Sequence, residues 1–214
     1  GLSRRLGGVP VSMGNDANLA ALGEYRYGTG RNSARCLVMI TLGTGVGGGI
    51  VMRPASLLGK SEGTLVLVGG NGGGAELGHV IMNANGAACN AGTYGAIEAY
   101  AQKQAIVDRA VARLLRGRES VVPEMVDGDF SRVTPKIISE ACEKGDEAMI
   151  EVYRETGEML GIALAGEWIL GPARNSARNV AIPSLFSDVD IVVAEQLEDA
   201  GLLGGAALAL ESLR

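Results

Sequence analysis

Asp16 is the residue whose type and position first suggest chemistry. It follows Asn15 at the start of a segment, Val9–Gly28, in which Leu19, Leu22 and Tyr25 recur with helical spacing. A carboxylate at a junction between an extended stretch and a helix can meet a bound hydroxyl group and accept its proton. Aspartate is also a favoured helix-capping residue. Capping and proton acceptance are therefore both open for Asp16, and they are not exclusive.

A glycine-rich loop, Gly43–Gly49, is the second candidate. It lies between two apolar runs, Leu37–Leu42 and Ile50–Met52, that predict buried strands. Glycines allow the main chain to approach a ligand closely, and Thr44 adds a hydroxyl among main-chain N–H groups, which is the composition of a phosphate-binding loop. A glycine-rich hairpin turn that binds nothing is the alternative.

The same loop contains the glycine spacing of a dinucleotide-binding fingerprint, at Gly43, Gly45 and Gly48. That fingerprint must open a helix whose N-terminus faces the pyrophosphate. Here the loop continues into Ile50–Met52, which predicts a strand. We therefore reject a Rossmann interpretation, and the sequence has no Walker motif with its lysine either.

Two further motifs contain titratable side chains. Glu76 precedes the chain's single histidine, His79, by three residues, and Glu98 lies in the first turn of a predicted helix, Ile97–Leu115. A histidine beside apolar residues commonly has a structural hydrogen bond, and a glutamate near a helix N-terminus is favourable without any catalytic role. From spacing alone, structural and functional roles remain open for all three.

Composition limits the class of protein. The chain has 214 residues, 47% of them hydrophobic, which is enough for one substantial core. Its net charge of −5 gives no basic face for nucleic acid, so we expect no nucleic-acid partner. No stretch approaches the length of a membrane span and the start lacks a signal-peptide core, so we expect no membrane association and a cytoplasmic location. Three separated cysteines indicate reduced thiols.

The remaining pattern predicts a few more elements. Thr64–Val68 and Asp188–Ala194 are expected to be strands, because both are short and rich in branched apolar residues. A helix is expected from Glu147 to about residue 170, with Asp146 as its cap, and a closing helix over Asp199–Leu213.

Four motifs, taken in order, resemble those of the ROK family of bacterial sugar kinases, glucokinase-like members especially. They are Asn15–Asn18 with Ala20–Glu24, then Gly43–Gly49, then Gly74–His79, and then Gly92 and Gly95 with Glu98–Ala101. Later segments, at 134–161 and 199–207, are similar to the family as well. The resemblance therefore covers most of the chain.

The resemblance implies an α/β fold, an actin-like ATPase (ribonuclease H-like) lobe with a mixed sheet and flanking helices, which binds a hexose and ATP with Mg²⁺. By position, Asp16 matches the catalytic base. The residues that match contacts to the other sugar hydroxyls are Asn15, Glu76, His79 and Glu98. The residues that match the loop facing the nucleotide phosphates are Gly43, Thr44, Gly45 and Gly47. A homodimer is implied too.

The chain also departs from the family pattern. The family begins with an N-terminal lobe that binds phosphate and metal, whereas Gly1 is already close to the Asn15-Asp16 motif, so we assign residues 1–214 to a single C-terminal sugar-binding and dimerisation lobe. Of the family's zinc ligands, His79 and Cys89 are present but Ala91 and Ala96 replace two cysteines. Two ligands cannot complete a tetrahedral site, so we predict no metal there and no structural zinc.

The segment that would hold adenosine, between residues 171 and 183, looks shortened. We therefore predict the sugar-binding lobe of an enzyme that phosphorylates a hexose with ATP, glucose to glucose 6-phosphate in particular, and expect this chain alone to be inactive. The alternatives are a non-catalytic sugar sensor and an oligomerisation module with a degenerate pocket.

Overall fold

We analysed a computed structural model of the chain, which describes residues 1–31, 35–53, 64–68, 73–160, 166–196 and 199–211. The chain divides into two compact units. The first unit comprises Gly1–Thr41, Gly47–Leu77 and Ala194–Arg214, and the second comprises Leu42–Val46 and Gly78–Val193. Along the described ranges, no helix combines the length and the apolar character that would let it cross a membrane.

The first unit contains a three-stranded sheet and two long helices. The elements are helix α1 (Leu2–Arg5), helix α2 (Asp16–Tyr27), strands β1 (Cys36–Leu42), β2 (Val46–Met52) and β3 (Leu65–Val66), and helix α10 (Ala200–Glu211). The strand order is β1-β2-β3, and β2 pairs antiparallel to β3 with Val51 opposite Val66. The predicted strands around the glycine loop are thus confirmed, and the predicted strand at 64–68 is confirmed in a shorter form.

Helix α2 packs its apolar face into the core of this unit. The core residues come from α2, from β1 and β2, and from α10: Ala21, Leu22, Tyr25, Met39, Val51 and Ala207. This is the face that the helical spacing predicted. The buried carboxylate of Glu24 accepts main-chain hydrogen bonds from Thr29, Glu195 and Gln196, which joins α2 to the chain just before α10.

The second unit is helical. Its elements are α3 (Glu98–Ala101), α4 (Lys103–Leu115), α5 (Val122–Met125), α6 (Pro135–Glu143), α7 (Glu147–Leu160), α8 (Gly166–Val180) and α9 (Pro183–Phe186), with a 3₁₀ helix at Phe130–Arg132. Buried residues spaced by four along α4 face the core: Ile106, Ala110 and Leu114. Asp146 caps α7 by accepting the Met149 N–H at 3.1 Å, as predicted.

Two sequence expectations for this unit are wrong. Ile97–Leu115 is not one helix, because Gln102 adopts an extended conformation with ψ 158° and the Lys103 N–H donates to the Gly43 carbonyl at 2.9 Å. The helix expected from Glu147 to about residue 170 agrees with the described residues, which are helical to Leu160 and again from Gly166, while 161–165 lie outside the described residues. Helix α8 runs further than expected, to Val180, with Pro172 inside it.

The second correction concerns Asp188–Ala194, which is irregular and largely exposed rather than a strand. Its alternating branched residues suit a strand, but a strand also needs a neighbouring strand edge to pair with. Instead, the Ile191 carbonyl accepts two hydrogen bonds from the Arg174 guanidinium, at 3.0 and 2.7 Å. The Arg174 side chain of α8 thus donates to the Ile191 carbonyl, which would accept a main-chain N–H in a sheet.

Candidate functional site

The N-terminus of α2 presents the first group of candidate residues. Asn15 is the N-cap: its Oδ1 accepts the N–H groups of Ala17 at 3.0 Å and Asn18 at 3.2 Å. Asp16 is the first helical residue, is exposed, and accepts the Ala17 N–H at 2.8 Å. Capping therefore falls to Asn15, and the Asp16 carboxylate lies at the exposed start of the helix. Of the two roles that spacing left open for Asp16, the structure thus gives the capping role to its neighbour Asn15.

The tip of the glycine loop is a tight turn. The Gly43 N–H donates to the Gly45 carbonyl at 2.9 Å, and the Val46 N–H donates to Oε2 of Glu98 at 3.1 Å. Gly43 and Thr44 are exposed at this tip. Two main-chain donors of the loop are thus already used inside the protein, so any anion would have to be held by the remaining exposed donors.

Close packing explains the glycines better than unusual main-chain conformation does. None of the glycines from 43 to 49, all of which the structure describes, has positive φ. A Cβ atom at residue 45 would lie 2.5 Å from Oε2 of Glu98, and one at residue 49 would lie 2.5 Å from the Ala21 Cβ on α2. Side chains at these positions would push away the carboxylate and the helix. The sequence offered phosphate binding or a ligand-free hairpin turn as reasons for these glycines, and neither interpretation included their packing against Glu98 and Ala21.

In the second unit, three side chains from separate segments converge. They are His79 at the end of a 3₁₀ helix (Leu77–His79), Cys89 in the connector before α3, and Glu98 at the start of α3. Their potential ligand atoms all lie within 4.8 Å of one another. Glu98 is 8% exposed, so its carboxylate is buried beside the imidazole and the thiol. The structure therefore brings together His79 and Glu98, which the motifs had placed in one pocket.

Glu76 lies elsewhere. It is an exposed residue of the first unit and is not part of the cluster of His79, Cys89 and Glu98. Asn15, Asp16 and Gly47 also belong to the first unit, whereas Gly43, Thr44 and Gly45 belong to the second. The candidate residues thus form a helix-start group in the first unit and, in the second, a loop tip joined to the cluster through Glu98.

Cys89 is a cluster member that sequence reasoning treated only as a leftover metal ligand. Its Sγ lies 3.0 Å from Oγ1 of Thr93. That hydroxyl, with main-chain N–H groups nearby, lowers the pKa of Cys89 to about 7 because hydrogen bonds stabilise the thiolate. Nδ1 of His79 is buried and has no hydrogen-bond partner within the described part of the chain. The cluster therefore contains a polar atom that a ligand could satisfy.

Within the described residues, the cluster of His79, Cys89 and Glu98 offers three potential metal ligands. Sequence reasoning counted two donors, His79 and Cys89, and missed the carboxylate of Glu98, so that count was incomplete. Glu98 nevertheless already accepts the Val46 N–H, and the two alanines that replace cysteines supply no donor: Ala91 is exposed and Ala96 is fully buried. A structural zinc site in proteins almost always has four protein ligands. The described residues supply three possible ligands here, and the Glu98 carboxylate among them already accepts a main-chain hydrogen bond.

Nearly the whole chain is similar in sequence to known proteins. A sequence model described as "ROK family" matches residues 2–170. A glucokinase from Thermotoga maritima is 32% identical over 226 residues, covering 96% of this chain and 68% of the relative. The transcriptional regulator NagC from Escherichia coli is 28% identical over 219 residues, covering 94% of this chain and 50% of that protein.

Among solved structures, a ROK family glucokinase from Streptomyces griseus in complex with glucose and AMPPNP superposes with a TM-score of 0.81 at 31% identity, covering 98% of this chain and 71% of that chain. The predicted fold class, an α/β actin-like ATPase lobe, is thereby confirmed. Since the family model matches far more than half of the chain, and a relative above 30% identity is matched over more than two thirds of its length, this chain belongs to the ROK family.

Proposed function

We propose that this chain is the sugar-binding lobe of an ATP-dependent kinase that transfers a phosphoryl group to glucose, at its primary hydroxyl. The observation that carries the proposal is the similarity of nearly the whole chain to a ROK glucokinase whose structure contains glucose and an ATP analogue. The similarity to the Thermotoga maritima glucokinase supports the same activity. Residues 1–214 form the C-terminal lobe of the family in this proposal.

Asp16 is the proposed catalytic base. Asn15 satisfies the first main-chain donors of α2, so the exposed Asp16 carboxylate is not required as the cap. It accepts the proton of the sugar hydroxyl as that oxygen attacks the γ-phosphorus of ATP. Phosphoryl transfer depends chiefly on positioning and on neutralising the phosphate charge, which Mg²⁺ bound to ATP supplies. The chain's own part is to hold the acceptor hydroxyl and remove its proton.

The proposed sugar contacts are Asn15, Glu76, His79 and Glu98. A hexose presents several hydroxyl groups, and each one buried without a partner costs about 1–3 kcal/mol. Carboxylates accept from hydroxyls, a carboxamide and an imidazole can both donate and accept, and Nδ1 of His79 is a buried atom in need of a partner. This set suits a polyol better than it suits an apolar ligand.

The loop tip, Gly43–Gly45, and Gly47 are proposed to face the nucleotide phosphates. Thr44 supplies a hydroxyl at the exposed tip, where the main chain is fixed by its hydrogen bonds to Glu98 and to Lys103 of α4. A fixed loop needs no reordering when the phosphates arrive, which favours tight positioning of the transferred group.

The coarser properties of the molecule complete the proposal. We propose a cytoplasmic homodimer without bound structural zinc and without a nucleic-acid or membrane partner. The net charge of −5 supports the absence of a nucleic-acid partner, and a cluster of three possible ligands, His79, Cys89 and Glu98, where structural zinc takes four, supports the absence of zinc. Light scattering after size exclusion tests the dimer, and elemental analysis of the purified protein tests the zinc content.

The test compares wild type with Asp16→Asn in a full-length version of the protein, because we expect residues 1–214 alone to be inactive. Calorimetric titration with glucose, with and without an ATP analogue, is combined with a coupled assay for ADP release. We expect the substitution to lower the rate of phosphoryl transfer about 10²–10⁴-fold, as for loss of a general base. The glucose dissociation constant should change by no more than about threefold, because one hydrogen-bond acceptor remains at the same position.

Asp188→Asn, an exposed change outside the candidate residues, is the matched control and should leave both values unaltered. Turnover retained by Asp16→Asn would remove Asp16 from the role of base. Binding of glucose by the full-length wild type without any turnover would favour a sugar sensor, the class to which the similarity with NagC points. Absence of any glucose heat would favour an oligomerisation module.

A further inference from the structure

Glu98 lies on a helix that cannot fix its own position. Helix α3, Glu98–Ala101, is a single turn, and a single turn has almost no hydrogen bonds to offset the cost of nucleating a helix. Its N-cap residue, Ile97, has no polar side chain with which to cap it. The orientation of the Glu98 carboxylate must therefore be set by residues outside the helix.

Arg109 of α4 contacts the end of this helix. Its Nη2 donates to the Tyr100 carbonyl oxygen at 2.5 Å. Tyr100 is one of the last residues of α3, where carbonyl groups have no partner within the helix and a cation is favourable. The Arg109 side chain is only 15% exposed, and its burial lowers the pKa of the guanidinium from its ordinary value. A cation in this setting needs good hydrogen bonds, and the carbonyl of α3 supplies one.

Arg109 is itself held by α7. Its Nη1 donates to Oγ1 of Thr156 at 2.6 Å, and that fully buried hydroxyl donates in turn to the Val152 carbonyl at 2.7 Å. Oε2 of Glu155 lies 4.0 Å from the Arg109 Nε. The guanidinium therefore spans from the well-packed helix α7 to the single turn α3. Its planar fork can make both bonds at once, which the single ammonium of lysine could not do in the same geometry.

The side chain of Tyr100 extends the frame in the other direction. Its hydroxyl accepts the Ala87 N–H at 2.9 Å, in the connector that contains Cys89. A Cβ atom at residue 86 would lie 1.9 Å from the Tyr100 hydroxyl, so only glycine leaves room for this bond. Tyr100 thus ties the connector to α3 two residues after Glu98.

We infer that Arg109 and Tyr100 are positioning residues that set the Glu98 carboxylate for sugar recognition. Arg109 links α7 to the main-chain carbonyl of Tyr100, and the Tyr100 hydroxyl links α3 to the connector at Ala87. Helix α3 is therefore held by two separate hydrogen-bonded contacts. Neither residue contacts the sugar in this arrangement. The inference rests on the proposed function, because it takes Glu98 to be a sugar contact.

The test measures glucose binding by calorimetry for the wild-type chain, Arg109→Lys and Tyr100→Phe. Each substitution removes one hydrogen bond of the frame, and we expect each to raise the glucose dissociation constant about tenfold, the size of one misplaced hydrogen bond. The matched controls are Arg118→Lys, from an exposed ion pair with Glu151, and Tyr153→Phe, which loses a hydroxyl bond to the Pro135 carbonyl. Both controls should leave glucose affinity unchanged.

A double-mutant cycle separates positioning from a general loss of stability. If Arg109 and Tyr100 act through Glu98, their substitutions should change glucose affinity less than about twofold once Glu98→Gln is present. Undiminished effects in the Glu98→Gln background, or unchanged affinity in both single variants, would overturn the inference while leaving the proposed function standing. A wild-type chain that does not bind glucose would refute both.

Thermal melting identifies any variant that fails to fold. Tyr100→Phe deletes a single hydroxyl and conserves the ring, so it decides the question if Arg109→Lys does not fold.

Discussion

Gly204→Ala is expected to destabilise the first unit strongly, although alanine is the better helix former. Gly204 lies in the middle of α10, where that helix crosses α2. A Cβ atom at this position would lie 1.6 Å from the Leu19 carbonyl oxygen and 2.5 Å from the Leu19 carbonyl carbon. Leu19 is in the first turn of α2, next to the residues proposed to bind substrate. The two main chains thus touch directly at Gly204.

The magnitude follows from the overlap. Atoms in ordinary contact are about 3.5 Å apart, so the helices would have to separate locally by roughly 2 Å. Inserting atoms into a packed core costs about 1–3 kcal/mol, occasionally more, and the upper end applies here because the added atom meets main chain. The better helix propensity of alanine offsets about 1 kcal/mol of that cost. We expect a net loss of about 2 kcal/mol in the free energy of unfolding, which corresponds to a fall of about 1 M in the urea midpoint.

Gly205→Ala is the matched control. It lies next to Gly204 in the same helix, but its Cβ would have nothing within 4 Å. There the change should stabilise by about 0.5–1 kcal/mol through helix propensity alone. Urea unfolding followed by circular dichroism, with hydrogen exchange of α2 peptides, measures both variants. A shift of the same sign in both would refute the close crossing of α2 and α10.

Two further predictions concern groups with defined partners. Glu24 is 2% exposed, and its carboxylate accepts the N–H groups of Thr29 and Glu195 at 3.1 Å and of Gln196 at 2.5 Å. Glu24→Ala should lower the free energy of unfolding, measured with urea, by about 3–5 kcal/mol, because each donor left without an acceptor costs about 1–3 kcal/mol. Glu195→Gln, in an exposed ion pair with Arg31, should cost less than about 0.5 kcal/mol, and equal losses would contradict the role given to Glu24. Thr93→Val should raise the pKa of Cys89 from about 7 toward the ordinary thiol value, and alkylation of Cys89 at pH 7 should therefore be slower. The alkylation rate is measured in a Cys36→Ser background, in which Cys142 does not react because burial raises its pKa to about 12. A lowered thiol pKa stabilises the folded state at pH values above the ordinary thiol pKa, and this stabilisation is lost as the pH falls through about 7. The free energy of unfolding of wild type relative to Thr93→Val should therefore rise from pH 7 to pH 9. Parallel pH profiles of the two proteins would count against the hydrogen bond.

Local signals predicted the elements whose causes are local. Helix α2 has an asparagine cap, a repeating apolar face and a glycine after its last residue, so its bounds could be placed from the sequence. The break at Gln102 could not be placed in this way. Glutamine and lysine are good helix formers, and the interruption arises from a hydrogen bond between Lys103 and Gly43, sixty positions apart.

The strand expected at Asp188–Ala194 was wrong for a related reason. Alternation and branched residues describe one strand by itself, whereas a sheet requires a partner edge that the sequence does not reveal. In the structure, Arg174 takes the Ile191 carbonyl instead. The structural role of Arg109 was also not predicted, because an arginine in an amphipathic helix is expected on the solvent-facing side. Nothing nearby in the sequence shows that its partners are Tyr100 and Thr156.

The candidate site shows how two separate motifs can form one physical unit. The motif resemblance assigned the glycine loop to phosphate and Glu98 to sugar, as independent contributions. In the structure the Glu98 carboxylate accepts the Val46 N–H at the end of the loop, and Gly45 lacks a side chain where that carboxylate lies. Groups that share a hydrogen bond and a packing contact do not contribute additively. A change at Gly45 or at Glu98 therefore acts on both the loop and the carboxylate, so a single substitution at either residue cannot separate the proposed phosphate contact from the proposed sugar contact.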